Sequence, residues 1–399
     1  MAPQFIPTLE AYPERIIAKL KLRDQRRKAE RPLSLKGQTL QLVLEDLLLW
    51  DEAILTVSFK GGDKELHGRI ATQADEWTKY ANITLDFGYQ EDSGEYRAWV
   101  PNDTSSIRVG FNERGYWSFV GTDSLDPEIC LPGEITLNLE QFDQALPSNW
   151  QATVLHEFGH ALGFHHEHQS PVAKCDFDWE KLYDYLAGPP NFWSREQVDY
   201  NLKEMPAGGL TYSPHDKHSI MHYAFPAWMF VSGTASPCFV TENGTLSEQD
   251  KIMAGRAYPF AADLVEKQRI LREAHINLLL SPELKLKGAE RQRLNARAYA
   301  LAHQTGIRQA FARNKTTDIE REVKKAILFA AGQGGEDVDN LNDQLSISSL
   351  LPTDYAYQFL ADLLDGLVKS HNPGSSVRLK DVSGANTIHD CIKMVKEKL

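Results

Sequence analysis

Cysteines are few in this chain of 399 residues, and their scarcity excludes one class of protein. Only four occur, widely scattered, whereas a small secreted domain held together by a disulfide framework carries them densely. We therefore expect four free thiols in a reducing compartment, with a Cys175–Cys238 disulfide as the alternative. The other two cysteines are Cys130 and Cys391.

Positive charge and long apolar runs are also scarce. Lys and Arg total 43 against 55 Asp and Glu, a net charge of -12. Nucleic acids and anionic membranes bind surfaces with clustered positive charge, so we expect neither as a partner. We find no apolar stretch long enough to span a bilayer. The first 32 residues lack the apolar core of a secretory signal, which favours a cytoplasmic or non-conventionally exported protein.

Length and patterning divide the chain into four segments. A chain this long exceeds one ordinary domain, so two or three folded units are expected. Residues 1–47 are charged and only intermittently apolar, and we predict an N-terminal extension there. Beyond Pro259 the strand patterns disappear and helix-forming residues dominate. This change predicts a helical connector at 261–314 and a small helical bundle at 315–399.

Residues 48–260 alternate between strand-like and helical patterns. The stretch 54–59 is strand-like and stops at Gly61 and Gly62, and residues 64–80 space their apolar side chains as a helix does. Further strands are predicted at 83–87, 107–111 and 135–139, before a helix that begins near Trp150. We predict one twisted sheet with helices packed on it.

The strongest chemical signal is a helical run containing His156, Glu157 and His160. Residues four apart lie about 40° apart around a helix and one turn along it, so both imidazoles reach one ion. Glu157, beside the first ligand, addresses a water at that ion without binding the metal. His-Glu-x-x-His alone is a moderate signal, because short apolar helices match it by accident.

His166 follows six residues after His160, and an unbroken helix would point it about 240° away from that ligand. Gly163 can take a positive φ, end the helix and let the chain bring His166 back as the third ligand. His165 and His168 are rival third ligands without the signature spacing. The complete pattern, His-Glu-x-x-His-x-x-Gly-x-x-His, matches the metzincin zinc peptidases.

A second run, Ser-Ile-Met-His-Tyr at 219–223, follows the first in the metzincin order. With Phe-x-His-Glu at 164–167, it makes residues 48–260 resemble the astacin family of metzincins. The resemblance implies that Met221 forms the methionine turn beneath the zinc ligands. It implies that Tyr223 is an additional zinc ligand that swings away to stabilise the tetrahedral intermediate. Without the motif, both side chains are ordinary core residues.

The resemblance also implies a fold and a reaction. The fold class is α+β: a metzincin catalytic domain with a twisted, mostly parallel sheet, two long helices and zinc in the cleft, followed here by an all-helical C-terminal region. One Zn²⁺ held by three neutral imidazoles keeps an open position, acidifies a water and polarises the scissile carbonyl. Glu157 is expected to be the general base, and Tyr223 the oxyanion donor, in cleavage of a protein or peptide substrate.

Two features depart from the astacin pattern. Astacins are usually secreted with a pro-segment whose aspartate blocks the zinc, and we find no convincing equivalent before Trp50. The glutamate that matches Glu167 pairs in many astacins with a mature N-terminus buried by processing. Here the extra 47 residues leave the partner of Glu167 open. We therefore do not expect activation by proteolysis.

The C-terminal segment resembles a second family, the acyl carrier proteins. Helices predicted to open near residue 318, after residues 345–350 and near residue 387 are similar to their four-helix bundle, in which a serine at the position of Ser349 bears phosphopantetheine. The aspartate that usually precedes this serine is Ser348 here. We favour a small helical domain that binds a protein partner without a prosthetic group. Phosphopantetheine on Ser349 is the alternative.

Three functions remain open at this point. The first is an active zinc endopeptidase with a helical accessory domain that recruits a substrate or partner. The second is a carrier or scaffold protein in a larger assembly, whose zinc domain processes or binds a partner. The third is an inactive zinc domain used for interaction, which Glu157 beside three ligands disfavours. We predict the first.

Overall fold

The protein is described by a computed structural model with two compact units, which divide between Ile270 and Leu271 except that Leu35 is grouped with the second unit. The predicted boundary between 314 and 315 lies outside the described residues, and the predicted segment limits stay predictions. The structure describes residues 12, 14–29, 34–35, 38–39, 47–189, 191–205, 214–304, 319–331, 338, 341–351, 357, 360–361, 363–365, 367–368, 372 and 375–399.

The first unit, unit 1, is built on a five-stranded sheet. The described strands are β1 (Ser34–Leu35), β2 (Gln38–Thr39), β3 (Ile54–Lys60), β4 (Thr84–Asp86), β5 (Ile107–Gly110), β6 (Tyr116–Ser118) and β7 (Leu137–Leu139). The sheet order is β4-β3-β5-β7-β6, while β1 and β2 pair separately. Within the five-stranded sheet every pair is parallel except β6 with β7. The mixed, mostly parallel sheet is confirmed, and edge strand β6 is an addition that the sequence patterns did not delimit.

Helices of unit 1 supply part of the core beside this sheet, and strand and loop residues supply the rest. They are α1 (Glu14–Ala29), α2 (Lys64–Ala74), α3 (Trp150–Ala161), α4 (Trp179–Leu186), α5 (Arg195–Leu202) and α6 (Glu248–Ala257). Helix α2 begins where the Asp63 side chain accepts from the Leu66 amide, and it ends earlier than the predicted 64–80. Trp77 instead lies in a short turn, buried, with its indole N–H donating to the Leu155 carbonyl at 2.9 Å. The free energy gained by burying the Trp77 side chain against α3 exceeds what continuation of the helix would contribute.

Helix α1 belongs to the predicted N-terminal extension, and it packs onto unit 1. Ile16 and Leu20 are buried in a cluster with Trp117 and Phe119. The hydroxyl of Tyr12 donates to the carbonyl of Ser118 in β6 at 2.6 Å. This part of the extension is therefore anchored by apolar burial as well as by hydrogen bonding.

The expectation of four free thiols is wrong, because Cys175 and Cys238 form a disulfide. Their Cα atoms lie 5.2 Å apart, within the usual range for this bond. The pair sits in an aromatic cluster with Phe177 and Phe230, which brings together residues separated by 63 positions. Cys130, like Cys391 in the second unit, is free and buried. The pairing removes the thiol-based argument for a reducing compartment.

Past residue 261 the described regular elements are helices, as predicted: α7 (Ala262–Leu280), α8 (Gly288–Gln304), α9 (Ile319–Ala330), α10 (Ile347–Leu350), α11 (Leu379–Ser383) and α12 (Ile388–Lys398). Unit 2 has its own core, in which Val323 and Ile327 of α9 pack with Ile388 and Val395 of α12. Thr387 opens α12 with a capping box. Among the described residues, no helix is both long and apolar enough to cross a membrane.

Candidate metal centre

Helix α3 carries His156, Glu157 and His160 into the interior of unit 1. Its apolar residues, among them Leu155 and Phe158, are buried in the main core. The same packing buries the three polar side chains, with Glu157 completely inaccessible to solvent. The helix therefore holds an ionisable triplet where water does not screen it, an arrangement that costs stability and is typical of functional sites.

Gly163 ends this helix as the sequence predicts. Its φ is +99°, and its amide donates to the His160 carbonyl at 2.7 Å. The next amide, of Phe164, donates to the Gly159 carbonyl at 3.0 Å, so the terminal carbonyls of the helix are satisfied. The chain then turns back toward the helix and delivers His166.

The structure brings His156, His160 and His166 together. One nitrogen from each ring lies within 4.8 Å of the other two. The ring centroids of His160 and His166 are 4.5 Å apart, and that of His156 is 4.8 Å from His160 and 5.2 Å from His166. These three residues, buried or nearly so, form a group able to hold a metal ion.

The hydrogen bonds of the outer ring nitrogens show that the group fits a cation. Nδ1 of His156 lies 2.8 Å from the Ile220 carbonyl, and Nδ1 of His160 lies 2.7 Å from the Phe164 carbonyl. Nδ1 of His166 lies 3.1 Å from the side-chain oxygen of Gln169. Each of these oxygens only accepts, so each Nδ1 carries the proton and each neutral ring keeps its lone pair on Nε2.

The Nε2 atoms of His160 and His166 face each other at 3.0 Å. Two lone pairs at this separation repel unless a cation or proton lies between them. In metal-binding histidines, the ring nitrogen that does not bind the ion usually donates a hydrogen bond to a neighbouring oxygen, as each Nδ1 does here. Gln169 is a functional residue that sequence reasoning missed, since its role appears only once the turn after His166 is formed.

Burial keeps these imidazoles neutral. Desolvation lowers the pKa of His156 to about 4. Desolvation, reinforced by the neighbouring imidazoles, lowers the pKa of His160 and of His166 well below the usual value. A neutral imidazole is the form that binds a metal, so the site needs no proton release near pH 7.

Met221 packs against Gly159 of α3, and its role as the methionine turn stays a prediction. A Cβ atom added to Gly159 would collide with the Met221 sulfur, so this glycine lets the turn approach α3 closely. The Met221 carbonyl accepts from the Glu167 amide at 2.9 Å. Asp250 fixes the turn from α6, accepting from the Ser219 hydroxyl at 2.7 Å and from the Ile220 amide at 2.8 Å.

The role of Asp250 was not predicted from the sequence, although a signal was present. Ser247 and Asp250 form a capping box at the start of α6, a pattern readable from Ser-x-x-Asp. The same carboxylate also holds the Met221 turn. The sequence shows the cap and cannot show what the cap supports.

Tyr223 lies against the histidine cluster through its ring. Its ring stacks on His156 with centroids 5.2 Å apart and lies 4.3 Å from that of His166. This places the aromatic side chain at the site, whereas its role as ligand or oxyanion donor stays a prediction.

The rival ligands lie outside the three-histidine group. His168 is fully buried, with Nε2 3.0 Å from the Asn201 carbonyl, and its ring stacks on Tyr223. His165 is partly buried and contributes no atom to the group. His168 therefore packs against the Tyr223 ring and contributes no atom to the three-histidine group.

Glu167 has a partner other than a chain terminus. Its carboxylate accepts from the Asp216 amide at 2.8 Å beside a cavity of about 130 Å³. Burial raises the pKa of Glu167 to about 7.

Ser349, the predicted attachment site in unit 2, lies exposed on α10. Its hydroxyl donates to the Ser346 carbonyl at 2.7 Å, and modification of Ser349 stays a prediction.

Replacing Gly163 with alanine tests the helix end on which the third ligand depends. An added Cβ would lie 2.9 Å from a methyl group of Leu49 at a φ that L-residues rarely adopt. We expect a loss of about 1–3 kcal/mol in unfolding free energy, measured by denaturant titration. Gly244→Ala is the matched control, because open space surrounds Gly244. Equal stability of the two variants would contradict the role of Gly163.

Three imidazoles, two of them buried, with anchored Nδ1 atoms and a carboxylate beside the first form a candidate metal site in unit 1. Among solved structures, the chain is similar to myroilysin. One myroilysin structure is 35% identical, covering 54% of this chain and 97% of that chain, with a TM-score of 0.46. A second is 35% identical over 53% of this chain and 86% of that chain, with a TM-score of 0.38. No family model matches the chain.

Proposed function

We propose that this protein is a zinc-dependent endopeptidase of astacin-like mechanism. One observation carries the proposal: three histidines, two of them buried on the helix that also holds Glu157 and the third on the turn after it, bring unprotonated Nε2 atoms together. Three neutral nitrogen ligands suit Zn²⁺, while Mg²⁺ and Ca²⁺ prefer oxygen. His156, His160 and His166 would hold the ion.

Zinc bound there would supply Lewis acidity, which lowers the pKa of a water and polarises a carbonyl. The protein's own part is proton transfer and charge stabilisation. Glu157, next to His156 on α3 and shielded from bulk solvent, accepts the proton of the attacking water and delivers it to the leaving amine. Tyr223, whose ring lies beside His166, donates a hydrogen bond from its hydroxyl to the developing oxyanion.

The helical unit 2 fits the accessory role in this proposal. Its core is self-contained, formed by side chains of α9, α10 and α12 with their neighbours in sequence. A separately packed helical unit suits the recruitment of a protein substrate or partner, as predicted from the sequence.

The test is cleavage of an unfolded protein substrate followed by gel electrophoresis. We expect cleavage by the full chain, loss of cleavage in a chelator, and recovery when Zn²⁺ is restored. Mg²⁺ is the matched control and is not expected to restore activity, since it prefers oxygen ligands. Cleavage that persists after zinc has been removed, verified by metal analysis, would contradict the proposal.

Tyr223→Phe tests the oxyanion role. Removing one donor of this kind costs about 10²–10³-fold in kcat. We expect that loss with little change in KM and with zinc content retained, since the three histidines are untouched. Steady-state kinetics on a quenched fluorescent peptide provides both constants. Unchanged kcat would show that Tyr223 is a packing residue only.

A further inference from the structure

A second group of metal-ligating side chains lies in unit 1 and uses none of the three histidines above. His215, His222 and Cys238 each offer one ligand atom, and these atoms all lie within 4.8 Å of one another. His222 and Cys238 are buried, whereas His215 is partly exposed and gives the group an opening to solvent. Two imidazoles and one sulfur form a ligand set of the kind that zinc uses in proteins.

The hydrogen bonds of His222 favour a ligand orientation. Its Nδ1 lies 2.9 Å from the Tyr223 carbonyl, which only accepts, so the neutral ring keeps its lone pair on Nε2. That Nε2 lies 3.1 Å from Nε2 of His215. Two arrangements fit this distance: a neutral His215 that donates the hydrogen on its Nε2 to His222, or a cation shared by both rings.

The sulfur of Cys238 is the third ligand atom of the group, but it is bonded to the sulfur of Cys175. A disulfide sulfur is a weak donor, while a thiolate is a strong ligand for zinc and similar cations. We propose that reduction of the Cys175–Cys238 disulfide creates a second metal site, in which His215, His222 and the Cys238 thiolate bind a zinc-like divalent cation. The disulfide thus controls whether the site exists.

The reduction balances with a dithiol as the reductant. The two thiols of the reductant lose two electrons and two protons and close into a disulfide, while Cys175 and Cys238 each become a thiol. Cys175 is partly exposed and Cys238 fully buried, so the incoming thiolate attacks the Cys175 sulfur and Cys238 is the leaving group. Binding of the cation then releases the Cys238 proton to solvent.

Cobalt(II) is the probe, because it occupies zinc sites and gives a charge-transfer absorption band when a thiolate binds it. The three-histidine centre contains no sulfur, and oxidised wild type corrects for the free thiols Cys130 and Cys391, so the additional band reports the second site. Cys175→Ser leaves Cys238 as a free thiol without any reductant, and Cys238→Ser is the matched control with Cys175 free instead. The full chain is stripped of metal and titrated with Co²⁺ in each form.

We expect Cys175→Ser to bind one more Co²⁺ per chain than oxidised wild type and to show the thiolate band. Cys238→Ser should show neither. In the Cys175→Ser background, His222→Ala should lower the Co²⁺ affinity of the second site by about 100-fold or more. Loss of a residue that only hydrogen-bonds to a ligand already lowers metal affinity by about 10- to 100-fold. Wild type reduced with a dithiol and desalted should match Cys175→Ser, which covers the case in which that variant folds poorly. Equal bands in the two cysteine variants, or no added Co²⁺ in either reduced form, would overturn the proposal.

Discussion

Replacing Glu157 with glutamine is expected to reduce peptide cleavage by about 10²–10⁴-fold while the chain still binds zinc. Glutamine matches glutamate in size, so α3 and its buried packing tolerate the change. It cannot accept the proton of the attacking water, and the general-base step is lost. The measurement is kcat/KM on a fluorescent peptide, with the zinc content of each preparation determined alongside.

Metal content is the control that gives this result its meaning. A variant that has lost both zinc and activity would show only that the site was disturbed. A Glu157→Gln protein that holds wild-type zinc and cleaves at the wild-type rate would contradict the assignment of Glu157 as general base. It would then leave the carboxylate as a buried structural group.

Replacing His166 with alanine is expected to abolish zinc binding and, with it, all detectable cleavage. The third imidazole is the ligand that depends on the chain reversal at Gly163, and two ligands from α3 alone bind weakly. The measurement is the zinc affinity of the metal-free protein, obtained with a competing chromophoric chelator, together with the rate of cleavage.

His165→Ala is the matched control for this variant. The two histidines are neighbours in sequence, but His165 contributes no atom to the three-histidine group. We expect the control to keep zinc affinity within a few-fold of wild type. If His165→Ala lost the metal and His166→Ala kept it, the ligand assignment from motif spacing would be wrong.

The grouping of three histidines was predictable from the sequence because it depends on local geometry. Helical spacing places His156 and His160 on one face, and a glycine at position 163 is the one residue type that turns the chain there at low cost. The strands were predictable in position for a similar reason, since their apolar residues alternate. In each case, the residues that form the pattern lie within a few positions of one another in the sequence.

The features that escaped prediction depend on contacts far apart in sequence. The Cys175–Cys238 disulfide was considered only as the alternative, because it depends on aromatic packing between two segments that no spacing rule reveals. Ile220 and Phe164 orient the histidines through their carbonyls, and backbone groups carry no sequence signature. Asp250 was visible as a helix cap, and its second role at the Met221 turn required the fold.

Mass spectrometry of a single peptide digested by the full chain tests the central claim most directly. The zinc-loaded enzyme is expected to cut an internal bond, giving two fragments whose masses sum to that of the peptide plus one water. The metal-free enzyme should leave the peptide intact, and restored zinc should return the same two fragments. No fragments from zinc-loaded protein, or identical fragments from verified metal-free protein, would contradict a zinc-dependent endopeptidase.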